Sequence, residues 1–177
     1  VGSFQDGVRV NNKFDSPNNE WDIDEYLNVD LLEDHKDFKY TQYTEDPSLL
    51  EAISRTKDLE QKFYSGLLKS NCRVTSQPDW GDVFIYIKSK NAIDAHSIKN
   101  YIISFRDECH FHEEICECIY KRLKDAFEPS ELLVMCLYAR RGGIDINPVR
   151  ASDINLINLL ADNLIDSKAI HIKTSKQ

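Results

Sequence analysis

The sequence predicts an α+β fold, an antiparallel sheet covered on one face by two helices, with elements in the order strand, strand, helix, helix, strand, strand. Three observations lead there. Two runs rich in β-branched and aromatic residues, Lys62–Ser70 and Asp82–Lys88, flank a turn-rich stretch, Asn71–Gly81. Two apolar stripes at helical spacing follow. The apolar run Leu132–Ala139 then precedes a turn at Arg140–Gly143. Strands on both sides of a helical pair, joined by short connections, leave the second face of the sheet in need of a partner.

Each element has its own signal. Val1–Asn19 mixes Gly, Asn, Asp, Ser and Pro, as a loop or inter-domain connection does, and Val1 is not an initiator methionine, so a piece of a longer protein is expected. Short Tyr- and Asp-rich segments in 20–44 suit edge strands, and 47–60 reads as a polar helix or loop. Asp94 is placed to cap a helix in which Ile98, Tyr101, Ile102 and Phe105 share one face. Phe111, Ile115, Cys118, Ile119 and Leu123 mark a second helix, which runs to about Phe127 and is stopped by Pro129. Residues 144–150 suit a returning strand, and Leu156, Leu159, Leu160 and Leu164 a short helix in the tail. The expected division is an acidic arm or connection at 1–60, a catalytic domain at 61–150 and a tail at 151–177.

Composition narrows the function. A chain of 177 residues with 41% hydrophobic content can bury a core without disulfides or metal. Its five cysteines are odd in number and unevenly spaced, which points to reduced thiols in a cytoplasm. Residues 1–20 lack the apolar centre of a signal peptide, and no apolar run approaches the roughly 20 residues that span a bilayer. Residues 1–60 carry a balance of −9 and the remainder +1. So acidic a first third argues against general nucleic-acid binding, while the later part can still hold an anionic small molecule.

Several residues can carry chemistry. Cys72 ends a strand beside Lys69 and Arg73, where cations favour thiolate; the alternative is a core cysteine. Asp79, in Gln77-Pro78-Asp79-Trp80-Gly81, is either a proton donor dried by Trp80 or an ordinary Pro-Asp turn. Glu113 at a helix start either meets the helix dipole or accepts two N–H groups from an amidine-like edge, with His112 bonding a ring carbonyl. Cys109, His112 and Cys116 fall on one helical face and admit a zinc reading, against which stands the lack of any Cys-x-x-Cys. Arg140-Arg141-Gly142-Gly143 suits a phosphate or a solvated hairpin.

Taken together, LLKSNC (67–72), QPDWG (77–81), ISFRDECHFHE (103–113) and RRGGIDINPVR (140–150) resemble the NADPH-dependent 7-cyano-7-deazaguanine reductases, the nitrile reductases of queuosine biosynthesis, a tRNA modification. They are most similar to the C-terminal half of the bimodular type. The resemblance implies the tunnelling fold, Cys72 as the nucleophile that forms a thioimide, Asp79 as general acid, His112 and Glu113 as the grip on the deazaguanine, and Arg141 and Gly142 as a contact to NADPH. From the ligand spacing, no metal is expected. The resemblance also implies the N-terminal half of the same enzyme as partner; a homo-oligomer is expected, and, from charge and apolar runs, neither nucleic acid nor membrane. The family's Glu-Ser-Lys-Ser-type stretch, placed in the N-terminal half of that type, does not occur here, so an isolated chain is expected to turn over poorly. Two other readings stay open: a tunnelling-fold module that binds a purine or pterin without redox chemistry, and a zinc-dependent cyclohydrolase-like enzyme.

Overall fold

The computed structural model describes residues 4–5, 8–9, 26–34, 36 and 38–158. Its elements are β1 (Phe4–Gln5), β2 (Val8–Arg9), β3 (Leu27–Asn28), β4 (Ala52–Asn71), β5 (Pro78–Ile93), α1 (Ala95–Ile103), α2 (His112–Phe127), β6 (Glu131–Tyr138) and β7 (Val149–Ala151). The fold is mixed α+β. β1 and β2 pair only with each other, and the main sheet has the order β3-β4-β5-β6-β7, antiparallel except for the short parallel pairing of β3 with β4.

β5 and β6 read as continuous apolar runs because both of their faces are covered. Val83, Ile85 and Ile87 lie opposite Cys136, Val134 and Leu132 in register. Together they pack under Ile98, Tyr101, Ile102 and Phe105 on one side of the helical layer and Ile115, Ile119 and Leu123 on the other. Burying each such side chain contributes about 1.5–3 kcal/mol. The alternate residues Phe84, Tyr86, Leu133, Met135 and Leu137 form a second cluster on the opposite face with Tyr26 and Leu156. That face therefore already carries aromatic and aliphatic cover from both ends of the described chain.

The helices start and stop where their end chemistry requires. Asp94 caps α1 by accepting from the His96 N–H. A 3-10 turn, Ser104–Asp107, continues α1, so Phe105 joins the core from outside the α-helix proper. α2 ends at Glu128 in the left-handed region, φ 44°, and Pro129 follows.

Four expectations need correction. The first long strand begins at Ala52, ahead of Lys62, and 47–60 holds only a 3-10 turn, Pro47–Leu49, before it. That strand is exposed at 52–55 and 57–60 and carries charges there, so it shows no period-2 pattern; three register shifts break the alternation further. β5 starts at Pro78, inside the stretch expected to be turn, because its first rungs close against Ser70 and Asn71. The returning strand is confined to Val149–Ala151, since Ile144 is spent on a bridge back to Arg141. Among the described residues between 26 and 44 only Leu27–Asn28 is a strand; a 3-10 turn, Val29–Leu31, follows it and is closed by Leu32 N–H to Val29 O. A helix does begin at Ile154, with Leu156 buried, while Leu159, Leu160 and Leu164 lie outside the described residues, as do 10–25.

The acidic segment before β4 is stitched to the helices. Lys99 Nζ donates to Leu32 O and to both oxygens of Asp34. Glu45 accepts from the Tyr101 hydroxyl and from Arg122, and its own N–H donates to the Glu108 carboxylate. The acid excess of the first third thus partly answers buried or half-buried donors on α1 and α2.

Candidate active site

The β4–β5 hairpin places Cys72 and Asp79 at one end of the sheet. Ser70 opposes Asp79 and Asn71 opposes Pro78, so Cys72 stands one residue past the ladder. The loop is closed by Cys72 N–H to Gln77 O and Ser76 N–H to Cys72 O, both 2.8 Å, and Ser76 takes φ 57° to make the turn. Cys72 is half-buried. Its thiol is held below the ordinary range, first by the Thr75 hydroxyl and then by the backbone N–H groups of Thr75 and Val74, against the opposing effects of burial and of the Asp79 charge.

Asp79 is almost fully buried, and its Oδ1 gathers two cationic or potentially cationic partners. Arg141 Nε donates to it at 2.6 Å, with Nη2 also in contact. His112 Nε2 lies 3.1 Å from the same oxygen but off the hydrogen-bond axis, so proximity and not a formed bond describes that pair. The His112 ring stacks on Tyr138 at 4.0 Å and 19°. Tyr138 has room to lie flat because residue 81 is glycine: a Cβ there would meet its Cδ1 at 3.0 Å and Cε1 at 3.1 Å.

α2 brings His112 and Glu113 to this end of the sheet. The loop before it is pinned to β4 by Asn71 N–H to Glu108 O and His110 N–H to Asn71 O. Glu114 holds the first turn by accepting from the Phe111 N–H at 2.9 Å and from Arg73 at 2.9 Å, while Arg73 also lies over the Phe111 ring. Glu113 is left exposed at the positive end of the helix. Its carboxylate raises the Tyr138 phenol further, although burial is the main reason that group is shifted up.

The structure brings Cys72, Asp79 and His112 together and sets Glu113 next to His112. Arg141 is found on Asp79 and on Gln77 and Pro78 carbonyl oxygens, and Arg140 is paired with Asp145. Gly142 and Gly143 have φ 57° and 83°, and nothing stands within 4 Å of where their Cβ atoms would be. The shared helical face of Cys109, His112 and Cys116 is corrected: α2 starts at His112, and Cys109 bridges to Asn71 outside it. Among the described residues no three His, Cys, Asp or Glu side chains converge as metal ligands. Sequence reading missed Thr75 and Tyr138. Thr75 had a signal, a hydroxyl three residues from the thiol inside a turn, whereas nothing in the sequence separates Tyr138 from any other strand aromatic.

A family model described as QueF-like protein matches residues 78–155. This stretch is similar to the QueF-like family. Asp79, His112, Glu113, Arg141 and Gly142 lie within the QueF-like stretch, and Cys72 lies just before it. The chain is 50% identical over 116 residues to the NADPH-dependent 7-cyano-7-deazaguanine reductase of Psychrobacter cryohalolentis, an alignment covering 63% of this chain and 41% of that protein. With the reductase of the same name from Colwellia psychrerythraea it shares 42% over 124 residues, 68% of this chain and 43% of the relative. The chain therefore spans about two fifths of the length of these relatives. A crystal structure titled as the apo form of an archaeosine synthase QueF-Like aligns at 19% identity with a TM-score of 0.48, covering 56% of this chain and 96% of the other. No helix among the described residues is long and apolar enough to cross a membrane.

Proposed function

We propose that this chain is the C-terminal part of an NADPH-dependent 7-cyano-7-deazaguanine reductase, built on the tunnelling fold, with 61–150 as its catalytic stretch. The observation that carries this reading is the half-buried thiol of Cys72 held at the same hairpin end as the buried Asp79 side chain. In the reaction, the Cys72 thiolate adds to the nitrile carbon, a C–S bond forms, and C≡N becomes C=N. The nitrogen takes up a proton from Asp79, leaving a thioimide. Glu113, exposed at the helix end, accepts two N–H groups of the deazaguanine, and His112 bonds its ring carbonyl while Tyr138 keeps the imidazole flat.

The turn at Arg141–Gly143 fits a cofactor, since its glycine backbone stands open to close approach. Arg141 and Gly142 would hold NADPH there, which when bound supplies the hydride for each of the two reduction steps from nitrile to amine. Arg141 has a second task in the free chain, because its guanidinium grips the Asp79 side chain and fixes where it stands. Residues 1–60 serve as an acidic arm, 151–177 as a tail. The N-terminal half of the same enzyme and further copies of the chain complete a cytoplasmic homo-oligomer.

Incubation with 7-cyano-7-deazaguanine followed by intact-mass measurement tests the reading. A mass increase of one substrate is expected on the wild-type chain and none on Cys72→Ser, whose hydroxyl is far less acidic than a thiol. An adduct of equal yield on Cys72→Ser would refute the assigned chemistry.

A further inference from the structure

Ser70 is the cross-strand neighbour of Asp79. Directly opposed residues in an antiparallel pair send their side chains to the same face, with Cβ atoms about 5 Å apart. Leu68, next in alternation on β4, packs in the core beneath the helices, so Ser70 and Asp79 both point under α2. Ser70 is fully buried, and its Oγ has no hydrogen-bond partner among the described residues. A buried hydroxyl left unbonded is unfavourable, and an alanine would fill the rung without that cost. In the same state both partners of Asp79, Arg141 and His112, crowd onto Oδ1.

We propose that Ser70 is a positioning residue for Asp79, hydrogen-bonding the carboxyl in its neutral, proton-carrying form and so holding the acid in place for delivery. The inference deepens the reading of Asp79 as proton donor and rests on it. Ionised, Asp79 is drawn to the Arg141 guanidinium. Protonated, it loses that attraction and needs a neutral partner that can both donate and accept, which a serine hydroxyl does. A bond made only with the neutral form favours that form. The other groups facing Asp79 are Arg141 from the turn after β6, His112 from α2, Tyr138 from β6 and Cys72 beyond β4. Ser70→Ala alters none of them.

The test is a pH titration of the Asp79 carboxyl by carbon-13 NMR in the full 177-residue chain, with the resonance assigned by its loss in Asp79→Asn. Ser70→Ala is expected to move the titration down by about one pH unit, a tenfold change in the acid's ionisation equilibrium. The alkaline limb of adduct formation with 7-cyano-7-deazaguanine should move down with it, and Ser70→Ala in the Asp79→Asn background should change adduct formation no further. An unmoved Asp79 titration overturns the proposal whatever the adduct does. A shifted titration on a chain that forms no adduct upholds the positioning role and counts instead against the nitrile reading.

Discussion

Thr75 sets how readily Cys72 ionises, because its hydroxyl and backbone N–H both stabilise the thiolate. A group whose pKa is depressed carries its reactive form to lower pH, so removing the donor should move the reactivity profile up. Thr75→Val is expected to slow alkylation of Cys72 near neutrality about threefold or more. Peptide mapping after iodoacetamide treatment across a pH series checks this, and a profile superposable on wild type would release Thr75 from the role. Gly81 matters for a different reason. Its missing side chain lets Tyr138 lie where His112 can stack on it, with Leu68 closing the third side. Gly81→Ala should cost about 1–3 kcal/mol by overpacking and reduce adduct yield as His112 loses its platform; a denaturant midpoint and an intact-mass yield read the two effects separately.

At the scale of elements, the arm before β4 is a set of acids seated on α1 and α2. Glu45 gives Tyr101, whose ring is fully buried, its acceptor and also pairs with Arg122, so Glu45→Ala should destabilise the fold by about 2 kcal/mol. Equilibrium unfolding in urea measures it. Burial works to raise the Asp34 carboxyl, but the Tyr40 hydroxyl and Lys99 outweigh it and hold the group below its usual range. A depressed carboxylate contributes stability that is fully present above its unfolded value of about 3.9 and is lost as pH falls through the folded one. Asp34→Asn should therefore lower stability at neutral pH and leave the most acidic part of the curve unchanged.

The same elements show what was legible beforehand. α1 and α2 were readable because each buries one stripe, and β6 because its apolar run, covered on both faces, is short and ends at a glycine turn. The first half of β4 was not readable, since an exposed strand with register shifts carries no period. Cys72, Asp79 and His112 could be singled out by chemistry and by resemblance, yet the grip of Arg141 on Asp79 depends on a turn folding back across 62 residues of chain. No local pattern encodes that.

For the molecule as a whole, the fraction of its relatives that it spans is decisive. The chain aligns to 41% of one reductase and 43% of another, and the sequence lacks the Glu-Ser-Lys-Ser-type stretch that the resemblance places in the other half. The isolated chain is thus expected to capture substrate on Cys72 without sustained oxidation of NADPH. On the proposed function, joining it to the N-terminal half of a bimodular reductase should restore turnover, followed as loss of reduced-nicotinamide absorbance. Rapid turnover by the 177 residues alone would show that the site needs no second half.

Among the described residues β3 pairs with β4 only at Phe63 and Tyr64, and there the stretch from Ala52 to Glu60 forms a long outer border of the main sheet. Arg55, Lys57, Asp58 and Glu60 stud that border with charge, so a second copy pairing alongside must strip water from these groups. Replacing all four by threonine would make the border adhesive. Light scattering should then climb with concentration, and a proline added at position 57 should return the solution to clarity.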